Sequence, residues 1–108
     1  MLEKLGRYDA AERELLLAIK LNPDNPLPYQ ELGTVKIAKE EYKEAIKYLL
    51  KAMERKGNNF IILNNLAVAS LMDGDYSAAL VYVKKAESLG LQLNPDLVHT
   101  IISTVRNR

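Results

Sequence analysis

Cysteine is absent from the 108 residues, which excludes a disulfide framework, a thiol nucleophile and a cysteine-ligated metal while leaving every compartment open. Histidine is almost as scarce: His99 stands alone, without the second imidazole or thiolate that a metal site of this kind requires. An excess of one charge is also missing. The formal net charge is +1, so no global field steers the chain toward nucleic acid or an anionic membrane. Long apolar runs are lacking as well. The longest mostly apolar stretch, 60–72, has 13 residues and contains Asn64, Asn65 and Ser70, too short and too polar to span a bilayer. The opening Met1-Leu-Glu-Lys has no apolar core of a leader. Membrane insertion is not expected, and the compartment stays open with the cytoplasm as default. No Gly-x-Ser-x-Gly, phosphate-cradling glycine loop or His-Glu-x-x-His occurs. Glu40, Glu41 and Glu44 cluster, but they read as a solvated helix surface without a cleft. Neither an enzyme nor a bound cofactor is expected.

What is present is an internal repeat. The segments Gly6-Arg-Tyr8-Asp-Ala-Ala11, Glu40-Glu-Tyr42-Lys-Glu-Ala45 and Gly74-Asp-Tyr76-Ser-Ala-Ala79 recur at a step of 34 residues. Two further columns keep that phase: Ala18, Ala52 and Ala86; and Leu15, Leu49 and Val83. A fixed period of this length signals stacked helical units, each unable to bury its apolar face alone. Small side chains at Ala11, Ala45 and Ala79, opposite Gly33 and Ala67, permit close helix approach. The spacing predicts a fraying stub over 1–5, then helices over 8–21, 26–39, 42–56, 59–72, 76–89 and 95–106. Asn94 reads as an N-cap with Pro95 at the first helical position. Gly57-Asn58, Gly74 and Gly90 read as stops.

With Tyr29-x-x-Leu32-Gly33 and Leu63-x-x-Leu66-Ala67 in the first helices, and Asn22-Pro23-Asp24 closing a unit, the pattern resembles the tetratricopeptide repeat over nearly the whole chain. The resemblance implies an all-α, right-handed superhelical stack of antiparallel helix pairs, an α-solenoid with a C-terminal capping helix. It divides the chain into a partial unit at 1–25, units at 26–59 and 60–93, and a cap at 94–108. Departures are Glu40 for the turn glycine, Gly57 and Leu91 for the closing proline, and Arg55 for a usual leucine. The first ordered helix lacks a partner helix of its own. The chain is therefore expected to be an excerpt of a longer array, or its bare end to be buried by another copy through Leu15, Leu16 and Ile19.

In the resembling family, binding resides on the concave face, lined by the first helices. Carried over by position, the groove consists of Leu27, Gln30, Thr34, Ile37 and Ala38 from one unit, and Ile61, Asn64, Val68, Leu71 and Met72 from the next. Val98 and Ile102 extend it on the cap. Members that grip acidic chaperone tails carry cations where this chain has Gln30, Thr34, Asn64 and Val68, so a carboxylate clamp is disfavoured. The expected ligand is an amphipathic helix or extended peptide of another protein, with Asn64 able to hydrogen-bond a peptide backbone. Leu27, Gln30, Asn64 and Val68 are the leading positions, whereas Ile37 and Leu71 are as readily core. A second candidate is the row Lys43, Lys47, Lys51 and Arg55 on one helix face, suited to RNA or an acidic partner. Its i,i+3 pairing with Glu44 and Glu54, and the lack of interleaved aromatics, make a solvated face the commoner reading.

Overall fold

The computed structural model describes residues 2–56 and 59–107. It contains α1 (Leu2–Leu21), α2 (Pro26–Ala38), α3 (Tyr42–Lys56), α4 (Phe60–Met72), α5 (Tyr76–Ser88) and α6 (Pro95–Arg106), with no strand among the described residues. Each helix packs on the next in sequence, and α2 also touches α4. This is an all-α helical repeat solenoid. The molecule is only 18 Å along its shortest axis, about two helix layers.

Local chemistry accounts for most of the boundaries. Asn25, Asn59, Asp75 and Asn94 cap α2, α4, α5 and α6, each side chain accepting from a backbone N–H of the first turn. Pro26 and Pro95 open α2 and α6 with φ already set. Three helices end in the same way. Residues Glu40, Gly74 and Gly90 adopt positive φ of 62°, 84° and 73°, and the following N–H reaches back to the carbonyl of Lys36, Ser70 or Ala86. The Gly57-Asn58 stop lies outside the described residues.

One boundary differs from expectation. The stub is not a separate segment: α1 begins at Leu2 and runs through Gly6, which has no positive φ. Leu2, Glu3, Lys4 and Leu5 favour helix, no capping side chain precedes Tyr8, and a glycine inside a helix costs only about 1 kcal/mol.

The core forms two linked clusters. Tyr29, Leu49, Ala52, Ile62 and Leu66 make the first; Leu63, Ala67, Ala79, Val83, Ala86, Leu93 and Ile101 make the second. Met53 and Tyr82 pack against both. The small-residue columns have the predicted purpose: Ala45, Ala52, Ala79 and Ala86 are buried, and a Cβ on Gly33 would stand 2.5 Å from Leu49 Cγ. Glycine is required there for helix approach, not for backbone freedom.

Ion pairs tie α1 to the end of α2 and α3 to the end of α4. Lys39 Nζ lies 2.6 Å from Asp9 Oδ1, and Lys43 Nζ lies 3.1 Å from Asp73 Oδ2. Both partners move by 34 positions between the two joints, and the charges are exchanged.

Candidate functional site

The face formed by α2, α4 and α6 carries the groove positions. Leu27 and Ile61 sit one residue into α2 and α4, where side chains project past the helix start, and are 47% and 48% exposed. Met72, at the other end of α4, is 56% exposed. Val68 and Leu71 are half-buried between them. Ile37 packs on the first cluster and Leu71 on the second, so Ile37 serves the core while Leu71 serves the core and the surface together. Ala38 is exposed.

The polar positions are largely consumed within the protein. Asn59 Nδ2 donates to Gln30 Oε1 (3.2 Å), Asn65 Nδ2 donates to Thr34 Oγ1 (3.1 Å), and Thr34 Oγ1 donates to the Gln30 carbonyl (3.3 Å). The Asn94 N–H donates to Asn64 Oδ1 at 3.3 Å. Gln30 is buried. These groups lace first helix to first helix, and the Asn64 oxygen is already engaged as an acceptor.

Val98 and Ile102 do not join this face. They line a separate cleft of 540 Å³ between α5, the 89–94 loop and α6, with Val83, Leu91, Leu93 and exposed His99. The α6 residues that meet Asn64, Val68 and Leu71 are instead Asp96, Leu97 and Thr100, around a cavity of 290 Å³. The capping asparagines explain the difference. Asn25 and Asn59 are 34 apart, but Asn59 and Asn94 are 35 apart, and one extra residue turns a helix by about 100°. Counting from the N-caps would have found this rotation.

Sequence reasoning missed two other arrangements. Lys36 is only 6% exposed, yet its Nζ lies 2.7 Å from Glu41, 2.9 Å from Glu12 and 3.3 Å from Glu44. Burial opposes its charge, but hydrogen bonds to Glu41, Glu12 and Glu44 prevail and hold its pKa above the ordinary lysine value. The same contacts lower the pKa of Glu12 and Glu41, with the hydrogen bond from Lys36 the main cause in each. At the far end of α3, the Arg55 guanidinium stacks 4.3 Å from the Tyr29 ring centroid. Its Nε donates to the Pro23 carbonyl at 2.7 Å, which the Tyr29 hydroxyl also meets at 2.9 Å. Arginine thus covers Tyr29 in place of the usual leucine.

Two members of the basic row have partners within the protein. Arg55 meets Pro23 and Tyr29, and Lys43 meets Asp73 while its side chain stays 84% exposed. The expected i,i+3 pairs do not form: Glu44 turns to Lys36, because a buried ammonium holds a carboxylate better than exposed Lys47 does, and Glu54 meets Arg55 at 3.7 Å. On α1, Ile19 is covered by the first cluster and Leu15 is half-buried. Exposed leucines there are Leu5, Leu16, Leu17 and Leu21, the last at 77%. No helix among the described residues is long and apolar enough to cross a membrane, and no group of side chains among them is arranged to hold a metal ion.

Comparison with known proteins agrees with the helical architecture. The chain is 34% identical over 73 residues, 68% of its length, to the Sol locus transcriptional repressor of Clostridium acetobutylicum, of which the match spans 23%. The tetratricopeptide repeat pattern matches residues 1–25 and 28–59. Those matches, the 34-residue columns and the paired helices they build establish that the chain belongs to the tetratricopeptide repeat family.

Proposed function

We propose that the chain is a protein-interaction scaffold whose α2, α4 and α6 face holds an amphipathic helix or extended segment of a partner protein. Repeats of this family generally mediate protein–protein interaction and typically serve as non-enzymatic scaffolds. One observation carries the finer reading. On α2 and α4 the Gln30, Thr34 and Asn64 side-chain oxygens are spent on internal ties, while Leu27, Ile61 and Met72 remain exposed. Recognition by these two helices is therefore apolar, by anchors in a groove. The units concerned are 26–59 and 60–93, with 94–108 as a cap. Affinity is micromolar, about 8 kcal/mol, since the face is small. The likeness to the repressor is read as one between interaction modules.

Val68→Glu and Leu27→Glu test the reading. Both should abolish partner capture with unchanged helicity by circular dichroism. Retained capture in both variants, each folded, would move the binding surface off this face.

A second reading, association of copies through α1, is favoured by exposed Leu16, Leu17 and Leu21. Light scattering across a concentration series decides it: a strict monomer at high concentration removes it.

A further inference from the structure

The seam between first helices is closed in one place and open in the next. From α2 to α4 it carries two polar ties: Asn59 to Gln30, and Asn65 to Thr34. From α4 to α6 the first tie is kept, as Asn94 to Asn64. The second is lost. Thr34 corresponds to Val68, one 34-residue step on, and Asn65 corresponds to Thr100, one 35-residue step on. Valine offers no acceptor, and Thr100 Oγ1 donates to the Asp96 carbonyl at 2.8 Å instead. Where the tie is missing, the helices leave the cavity of 290 Å³.

That space has an apolar floor of Val68, Leu71 and Leu97 and a rim containing Asp96. The Asp96 carboxylate has no ion-pair or hydrogen-bond partner among the described residues, and no lysine or arginine lines the cavity. It stands in the first turn of α6, and a helix N-terminus favours a negative charge. The volume is just below the range of small-molecule sites and suits one side chain.

We infer that this opening is a subsite for a single basic side chain of a bound peptide, its aliphatic stem on Val68, Leu71 and Leu97 and its cation at Asp96. Long cationic side chains lie this way, with the stem on apolar surface and the head in water. The inference rests on the proposed binding face and specifies what one position of its ligand must be.

The test uses three blocked five-residue alanine peptides with lysine, norleucine or glutamate at the centre, titrated into the protein by NMR. The lysine peptide should shift the Leu71 and Leu97 methyls, with a dissociation constant at least about threefold below that of norleucine and glutamate weakest. Asp96→Asn should level lysine with norleucine. The double variant Val68→Thr with Thr100→Asn, which restores the missing tie, should remove the shifts. Equal binding of lysine and norleucine, a preference that survives in Asp96→Asn, or no shift from any peptide would each overturn the subsite. If the subsite fails while Val68→Glu still abolishes partner capture, the face stands and only its basic specificity is lost.

Discussion

Two residues hold backbone positions that their side chains make expensive or indispensable. Glu40 occupies a left-handed conformation at φ 62°, the position that Gly74 and Gly90 fill in the later turns. A non-glycine residue there costs about 1–2 kcal/mol, partly offset in glycine by greater freedom of the unfolded chain. Glu40→Gly should therefore raise stability by about 0.5–1 kcal/mol. Gly33→Ala should do the opposite. Helix propensity favours alanine by about 1 kcal/mol, but the new methyl meets Leu49, fully buried and without room to retreat. Overpacking of this kind costs roughly 1–3 kcal/mol, so a net loss of about 1 kcal/mol is expected. Urea denaturation of both variants beside the parent measures the two signs.

At the scale of the element, α1 is held to α2 by charge as well as by apolar burial. Asp9 and Glu12 meet Lys39 and Lys36, and Ile19 is the α1 side chain packed on a buried cluster. The pKa of Asp9 is lowered chiefly by its hydrogen bond with Lys39. Carboxylates with depressed values contribute stability that is complete above their ordinary values, 3.8 for Asp9 and 4.5 for Glu12 and Glu41, and that is lost as pH falls through the folded ones. Raised Lys36 contributes below its ordinary 10.5 and loses that only at higher pH, so it stays charged through the acid range. Acidification below about 4.5 should loosen α1 before α4 and α5. Hydrogen exchange across that range checks this order, and Glu12→Gln should give the same selective loss of α1 protection at neutral pH. Uniform loss along the chain would contradict it.

The elements also show what the sequence disclosed. Helix boundaries were legible where Asn25, Asn59, Asn94, Pro26, Pro95, Gly74 or Gly90 marked them, whereas Gly6 marked none, and the alanine columns at 45, 52, 79 and 86 gave the packing faces correctly. The direction of α6 was not, because a strict 34-residue step was carried past a one-residue insertion. Lys36 was overlooked because its carboxylates come from α1, the α2–α3 turn and α3, elements that only tertiary packing brings together. Leu27, Ile61 and Met72, chosen by repeat position alone, are exposed. The internal consumption of Gln30, Thr34 and Asn64 did not, since hydrogen bonds between helices leave no trace in spacing.

Across the whole molecule, stability runs along the stack by neighbour contacts, and two clusters meet through few side chains. Met53 and Tyr82 pack on both. Removing one of them should weaken cooperativity more than its size suggests. Met53→Ala is expected to cost about 1–2 kcal/mol, below the 2–5 kcal/mol typical of a fully buried site. It should also broaden the denaturant transition, lowering its apparent slope as the ends begin to unfold separately. A shifted midpoint with an unchanged slope would mean that the clusters remain one cooperative unit.

The exchanged charges at the two joints reach furthest. Asp9 faces Lys39, whereas Lys43 faces Asp73. A concatemer repeating residues 26–59 would bring Lys43 of one copy against Lys39 of the next, two ammonium groups at every junction. One repeating 60–93 would bring Ser77 against Asp73, with no pair at all. The units are thus not interchangeable bricks. Their order is written into the joints, and duplication or shuffling of a unit needs a compensating change on its neighbour.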